Sequence, residues 1–208
     1  MNDYLSGVAL EDKPRKGDWI LTFTNRRVWT IDPRVSEISI IDIAHALAMS
    51  CRYTGHGVNF YSVAEHSCHL FDNCSEQNRF WALMHDGSEG YISDINRPTK
   101  PHITGYREIE DSLMKVICLR FGLGPVMPSE VMDIDLRICK DEMYQNLQGF
   151  DMGGDRVKAL GVTLQYWEPR KAEIEFLGRF YSVYKAKGGI NDPTYDEALA
   201  ILDEIYDK

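Results

Sequence analysis

The chain has no C-x-x-C pair, and its cysteines are odd in number: Cys51, Cys68, Cys74, Cys118 and Cys139. Such a set argues against both a disulfide framework and a cysteine-based zinc site, and it fits thiols kept reduced in a cytosol. Long apolar runs are also missing. No segment approaches the uninterrupted apolar length that spans a bilayer, and residues 1–16 lack the apolar centre of a secretory signal. Positive charge is in short supply, with 23 Lys and Arg against 32 Asp and Glu, a formal net charge of -9. Proteins that coat nucleic acid or anionic membrane work through clustered cations, so neither partner is expected. Any anionic ligand needs a local cationic pocket. These absences predict a soluble, cytoplasmic protein.

What is present is ordinary globular material: 208 residues, 44% hydrophobic and 26% charged, enough for one substantial core and one domain over residues 1–208. Only residues 18–32 alternate in the manner of strands, around the polar pair Asn25-Arg26, which reads as a short hairpin. Everything beyond has helical period. Ser39-Ile40-Ile41-Asp42 and, more cleanly, Ser62-Val63-Ala64-Glu65 resemble capping boxes opening helices to about Cys51 and Cys74. Ser75 can cap a third helix ending near Gly87 and Gly90. A longer helix over about 104–121 carries Tyr106, Ile109, Leu113, Val116 and Ile117 on one stripe and stops at Gly122 and Gly124; another follows Pro128. Pro169 and Pro193 suit first helical turns within C-terminal helices at about 168–207. Their inward stripes are Ile174, Leu177, Tyr181, Tyr184 and Tyr195, Leu199, Leu202, Tyr206. Residues 147–161, with three internal glycines, read as a flexible connection. The pattern predicts an all-α globule with a small N-terminal β-hairpin.

Several ionisable residues fall on faces that should be buried. In ALMHDGSEGYISD, residues 82–94, His85 and Glu89 are four apart and Asp86 and Glu89 three apart, so all three can share one side of a helix end. A lone His-Asp pair closes many helices without further role. His66, however, lies with Val63 and Leu70 on an apolar side, and Asp135 lies within the stripe Val131, Ile134, Ile138. Singly, His66 can be a satisfied core histidine and Asp135 can pair with Arg137 or Arg120. Together they are costly to bury unless a cation or several hydrogen bonds compensate. A divalent metal would satisfy His66, His85, Asp86 and Asp135 at once. Mixed imidazole and carboxylate donors suit Zn, Fe, Co or Mn better than Ca.

The order His66 in YSVAEHS, His85-Asp86 in ALMHDGSE and Asp135 in VMDIDLR resembles the HD superfamily of metal-dependent phosphohydrolases. Within it the pattern is most like the compact bacterial 5′-deoxynucleotidases and their phage relatives that hydrolyse dATP to deoxyadenosine and triphosphate. The resemblance covers about residues 52–142, and SVAEHS followed by HDxxE and SDINRPTK is its specific part. It implies an HD-domain helical globule with Glu89 as the catalytic acid, Asp94 contacting the deoxyribose 3′-hydroxyl, and Lys100 binding phosphate. Arg52-Tyr53 stands where those enzymes have Arg-Trp, so Arg52 would hold phosphate and Tyr53 would lie against sugar or base. The Trp-to-Tyr change leaves base preference open.

The expected activity is therefore metal-activated water attack on the α-phosphate of a deoxynucleotide, with dATP triphosphohydrolase ahead of a 5′-deoxynucleotidase acting on monophosphates. Arg27 and Arg97 can extend the cationic pocket toward a polyphosphate, accompanied by a second divalent ion such as Mg. Trp29 can add a wall, His69 can orient a ligand, and His56 lies near in sequence. A cyclic-nucleotide phosphodiesterase explains Arg52, Asp94 and Lys100 less well. A catalytically silent nucleotide-binding module and a purely structural metal are the alternatives of other classes. By the same resemblance a homo-oligomer is expected, acting in the host cytoplasm if the chain is of phage origin.

Overall fold

The computed structural model describes residues 14–148, 157–184 and 193–207. They form a helical globule with one antiparallel hairpin, β1 (Ile20–Leu21) and β2 (Arg27–Val28), paired Ile20 to Val28 and Leu21 to Arg27. The hairpin is shorter than the alternation over 18–32 suggests. Its turn has Asn25 at φ 62°, a left-handed position that asparagine tolerates.

The helices are α1 (Ile40–Met49), α2 (Val63–Asn73), α3 (Arg79–Met84), α4 (Glu89–Ile92), α5 (Tyr106–Phe121), α6 (Ser129–Asn146), α7 (Pro169–Val183) and α8 (Tyr195–Tyr206). At the first N-terminus the expected box does not form. Ser39 makes no side-chain cap, and Asp42 instead accepts from the Thr24 amide at 2.7 Å and the Thr24 hydroxyl at 2.9 Å, tying the hairpin to α1. Ser62 does cap α2, accepting from the Glu65 amide at 3.0 Å. The Glu65 carboxylate, rather than returning to Ser62, accepts from the amides of Gln165, Tyr166 and Trp167 at 2.6–3.0 Å. Tertiary partners thus outcompete two local boxes.

Helix α3 starts at Arg79, four residues beyond Ser75, because Ser75 is drawn into a turn and donates its hydroxyl and amide to Glu130 of α6. α7 lies centrally, packing on α1, α2, α3 and α8. Its fully buried positions are Ala172, Phe176, Leu177 and Phe180, so Leu177 fits the expected stripe while Ile174, Tyr181 and Tyr184 are only half-buried. On α8, Ala198 and Leu202 are buried and Tyr206 is exposed. Part of the 147–161 connection lies outside the described residues. A smaller apolar cluster, Leu70, Cys74, Ala82, Val131, Ile134 and Ile138, clamps α6 onto α2 and α3. This clamp brings α6 beside the ionisable residues of the other two helices. Among the described residues no helix is long and apolar enough to cross a membrane.

Candidate metal centre

His66 is fully buried on α2, one turn inside the helix. Asp135 and Glu142 are seven residues apart on α6, two turns along one face, and both reach His66. Glu142 Oε1 lies 2.6 Å from His66 Nδ1; its Oε2 accepts from Arg52 Nη2 at 3.1 Å and from the Tyr53 hydroxyl at 2.5 Å. Burial opposes charge on Glu142, but Arg52, His66 and Tyr53 overcome it and hold the carboxyl well below its ordinary range. An ionised Glu142 accepts a hydrogen bond from the Nδ1–H of His66, which keeps the proton on Nδ1 and favours the lone pair on Nε2. The same selection occurs at His85, whose Nδ1 donates to the Ala82 carbonyl at 2.8 Å.

The two Nε2 atoms therefore face one another at 3.3 Å. Asp135 Oδ1 is 3.3 Å from His66 Nε2, and Asp86 Oδ2 is 3.1 Å from His85 Nε2 and 3.8 Å from His66 Nε2. Ligand atoms of His66, His85 and Asp135 lie within 4.8 Å of one another. Two imidazole nitrogens converging between two carboxylates form a group that could hold a metal cation. The same carboxylates act on protons: burial opposes charge on His85, yet Asp86 and Asp135 push it up to about 9, and Asp86 is drawn down to about 2. The donor set fits a divalent transition ion, to which imidazole nitrogen and carboxylate oxygen are suited.

The backbone between His85 and Asp94 is shaped by close packing. Helix α3 ends at Met84, the turn runs through Gly87, and α4 follows. A Cβ on Gly87 would stand 3.0 Å from the Met84 carbonyl, a tight approach, and in ordinary contact with Ile117 of α5 at 3.6 Å, so a side chain there would crowd the end of α3. Ser93, at φ 71° and ψ 154°, occupies a region reserved almost wholly for glycine and sets the direction of Asp94. Tyr53 and Thr54 are also left-handed, at φ 56° and 55°, where the chain turns beside Arg52.

The four expected donors and the five residues that the resemblance assigns to catalysis and substrate binding lie together here. A cleft of about 360 Å³ is lined by Arg52, Tyr53, Glu89, Asp94 and Lys100 together with Asp86 and Asp135. Arg97 joins them, its guanidinium 3.7 Å from Asp135. Glu89 is 6% exposed; burial first, then Asp86 and Asp94, push its carboxyl up to about 8 against the pull of Lys100. A second cleft of about 630 Å³, walled by Trp81, Met114 and Met127, reaches His85, Asp86 and Asp135 from another side.

Other candidates are placed elsewhere. Arg27 stacks over Trp19 and Arg15 over Trp29, and neither Arg27 nor Trp29 lines the cleft. His69 approaches Glu65 at 3.4 Å and stacks near Tyr61 and Trp167; exposed His56 gives its amide to the Tyr53 carbonyl. Arg137 pairs with Asp133, and Arg120 donates to the Ile38 carbonyl, so neither is the cation beside Asp135. Two residues were not singled out: Glu142, which its seven-residue spacing from Asp135 could have flagged, and Glu110, for which the sequence offers no local signal.

No known protein-family profile matches the chain. The uncharacterized protein YfdR of Escherichia coli is 36% identical over 124 residues, covering 60% of this chain and 70% of that protein. The uncharacterized protein RCAP_rcc00048 of Rhodobacter capsulatus is 39% identical over 199 residues, covering 84% of this chain and 100% of that protein. With that identity over such coverage, the chain belongs to the family that includes YfdR and RCAP_rcc00048.

Proposed function

We propose that the chain is an HD-type metal-dependent phosphohydrolase of deoxynucleotides, a dATP triphosphohydrolase in which dATP and water give deoxyadenosine and triphosphate. The observation that carries this reading is a cleft that holds a buried carboxyl of raised proton affinity, three cations and the carboxylates Asp86 and Asp135, with the His66 and His85 imidazoles converging on those two carboxylates. His66, His85, Asp86 and Asp135 would hold the ion. A divalent ion held there would activate water as a nucleophile and polarise a phosphoryl oxygen. Glu89 holds a proton near neutral pH and hands it to the departing 5′-oxygen, a general-acid role. Arg52, fixed by Glu142 and Asp86, offers its planar fork to phosphate. Asp94 receives the sugar hydroxyl.

A second reading, 5′-deoxynucleotidase acting on monophosphates, is favoured by how the cations are spent. Arg52 is engaged by Glu142 and Asp86, and Lys100 by Glu89 and Glu110. Arg97, with a side chain 75% exposed, is the cation best placed for additional phosphates. Arg97→Ala should therefore lower turnover of dATP about tenfold or more and leave that of dAMP within a few-fold; equal losses on both substrates would remove it as the discriminator.

The deciding experiment is chromatographic product analysis after incubating metal-reconstituted protein separately with dATP, dGTP, dAMP, dGMP and ATP, with Asp86→Ala as control. Deoxyadenosine with intact triphosphate from dATP is the expected result. Inorganic phosphate from monophosphates alone would establish the second reading. No product from any of them, with nucleotide still raising the melting temperature, would indicate a binding module.

A further inference from the structure

Lys100 makes contacts that a lysine reserved for phosphate would not need. Its Nζ sits 2.9 Å from Glu89 Oε1 and 2.8 Å from Glu110 Oε1, with the side chain only 27% exposed. Two carboxyl groups at hydrogen-bonding distance take two of its three donors, and the Glu110 carboxylate offsets much of the ammonium's field. Glu89 comes from α4 and Glu110 from α5, while Lys100 opens a short 3-10 turn, Lys100–His102, on the loop between them. The other Glu89 oxygen, Oε2, is buried and has no hydrogen-bond partner among the described residues. One oxygen of the carboxyl is thus held by Lys100 and the other is left for chemistry.

We infer that Glu110 is a positioning residue: it holds Lys100 against Glu89 and so fixes the orientation of the Glu89 carboxyl in the cleft. This rests on the hydrolase reading only for its effect on turnover. The clamp has a second consequence for the cleft. The loop that carries Asp94, Arg97 and Lys100 leaves α4 through the strained Ser93, and the Glu110 contact fastens it to α5. Lys100 is then a strut between two helices, with one donor left toward the cleft.

The test uses the metal-loaded full chain and the variants Glu110→Ala, Glu110→Gln, Lys100→Ala and the double alanine variant. Glu110→Ala is expected to lower kcat about tenfold while KM stays within threefold and metal content by mass spectrometry is unchanged. Glu110→Gln should recover most of the loss, because its amide oxygen still accepts from Nζ. On a Lys100→Ala background, Glu110→Ala should cost nothing further, since it acts through that lysine. Additive losses, or a loss expressed in KM alone, would overturn the inference. The contact also has a readout independent of turnover, the rate at which Lys100 is acetylated by an amine-reactive reagent, followed by peptide mass spectrometry. That rate should rise severalfold in Glu110→Ala, and an unchanged rate sinks the clamp. If the wild-type chain hydrolyses no nucleotide, the hydrolase reading fails while the acetylation rates still decide whether Glu110 restrains Lys100.

Discussion

Glu142 is fully buried and touches three residues of the candidate site although it lies outside the motif. Its carboxylate fixes the tautomer of His66 and anchors both Arg52 and Tyr53. Glu142→Gln removes the charge but keeps an acceptor, and the amide can turn a donor toward Nδ1, so the His66 tautomer is no longer enforced. The expected outcome is metal affinity weakened about 10–100-fold, read by competition against a chromophoric chelator. Affinity within twofold of wild type would reduce Glu142 to a packing role. Tyr53 illustrates a limit of reading single residues. Its aromatic type suggests a wall for sugar or base, yet its hydroxyl is committed to Glu142 and the Arg52 guanidinium lies 5.5 Å from its ring centroid. That commitment depends on α6, some ninety residues later, and no local pattern around Tyr53 announces it.

At the scale of elements, the donors are aligned by the way α6 is held against α2 and α3. One fastening is apolar, through Val131, Ile134 and Ile138; another is polar, through Glu130 at the start of α6. Glu130 accepts from the Ser75 hydroxyl and amide and from Asn78, which lower its carboxyl from an ordinary 4.5 to about 2. A depressed folded-state value means stability that is present above about 4.5 and lost as pH falls toward about 2. Glu130→Gln should therefore flatten part of the acid limb of stability between those values and change little at pH 7 beyond the lost charge-assisted hydrogen bonds. Urea melts from pH 2 to 7 would check this, and parallel curves for the two proteins would rule the contribution out. The helices themselves were largely legible, because the Ser62 cap opens α2, apolar period and the Gly122 stop mark α5, and Pro128 with the stripe Val131, Ile134, Ile138 marks α6. The failures lie at their starts. Ser39 and Ser75 look like caps, but Thr24 and Glu130 offer Asp42 and Ser75 better-placed partners from distant segments.

For the whole molecule, the segment that resumes at Val157 is joined to α2, and through it to the candidate site, by Glu65. This carboxylate is fully buried and accepts three consecutive amides at Gln165, Tyr166 and Trp167, with Tyr166 left-handed at φ 54°. Such a run of amides forms a concave anion seat. Glu65→Ala would strand these donors, and at about 1–3 kcal/mol for each unsatisfied buried group the expected loss is about 3 kcal/mol or more. Thermal and urea unfolding would measure it; a loss below about 1 kcal/mol would show that water or rearrangement replaces the carboxylate. Because Glu65 directly precedes His66, the same variant should also weaken metal binding. A Glu65→Gln comparison separates the two effects, since it keeps the side-chain volume while removing the charge.

The sequence by itself determined the helical class and the hairpin near the N-terminus, and it pointed to His66 and Asp135 as ionisable groups on apolar faces, because periodicity and the cost of placing charge on such a face are local properties of the chain. Only the tertiary structure decided what those groups are held by. Glu142 meets His66 across 76 positions, Glu65 meets Trp167 across 102, and Lys100 stands between carboxylates of α4 and α5. These partners are chosen by which helix faces pack together. Hydrogen bonds and ion pairs act over a few ångströms of space, whatever the distance along the chain, so the folded arrangement alone could assign them.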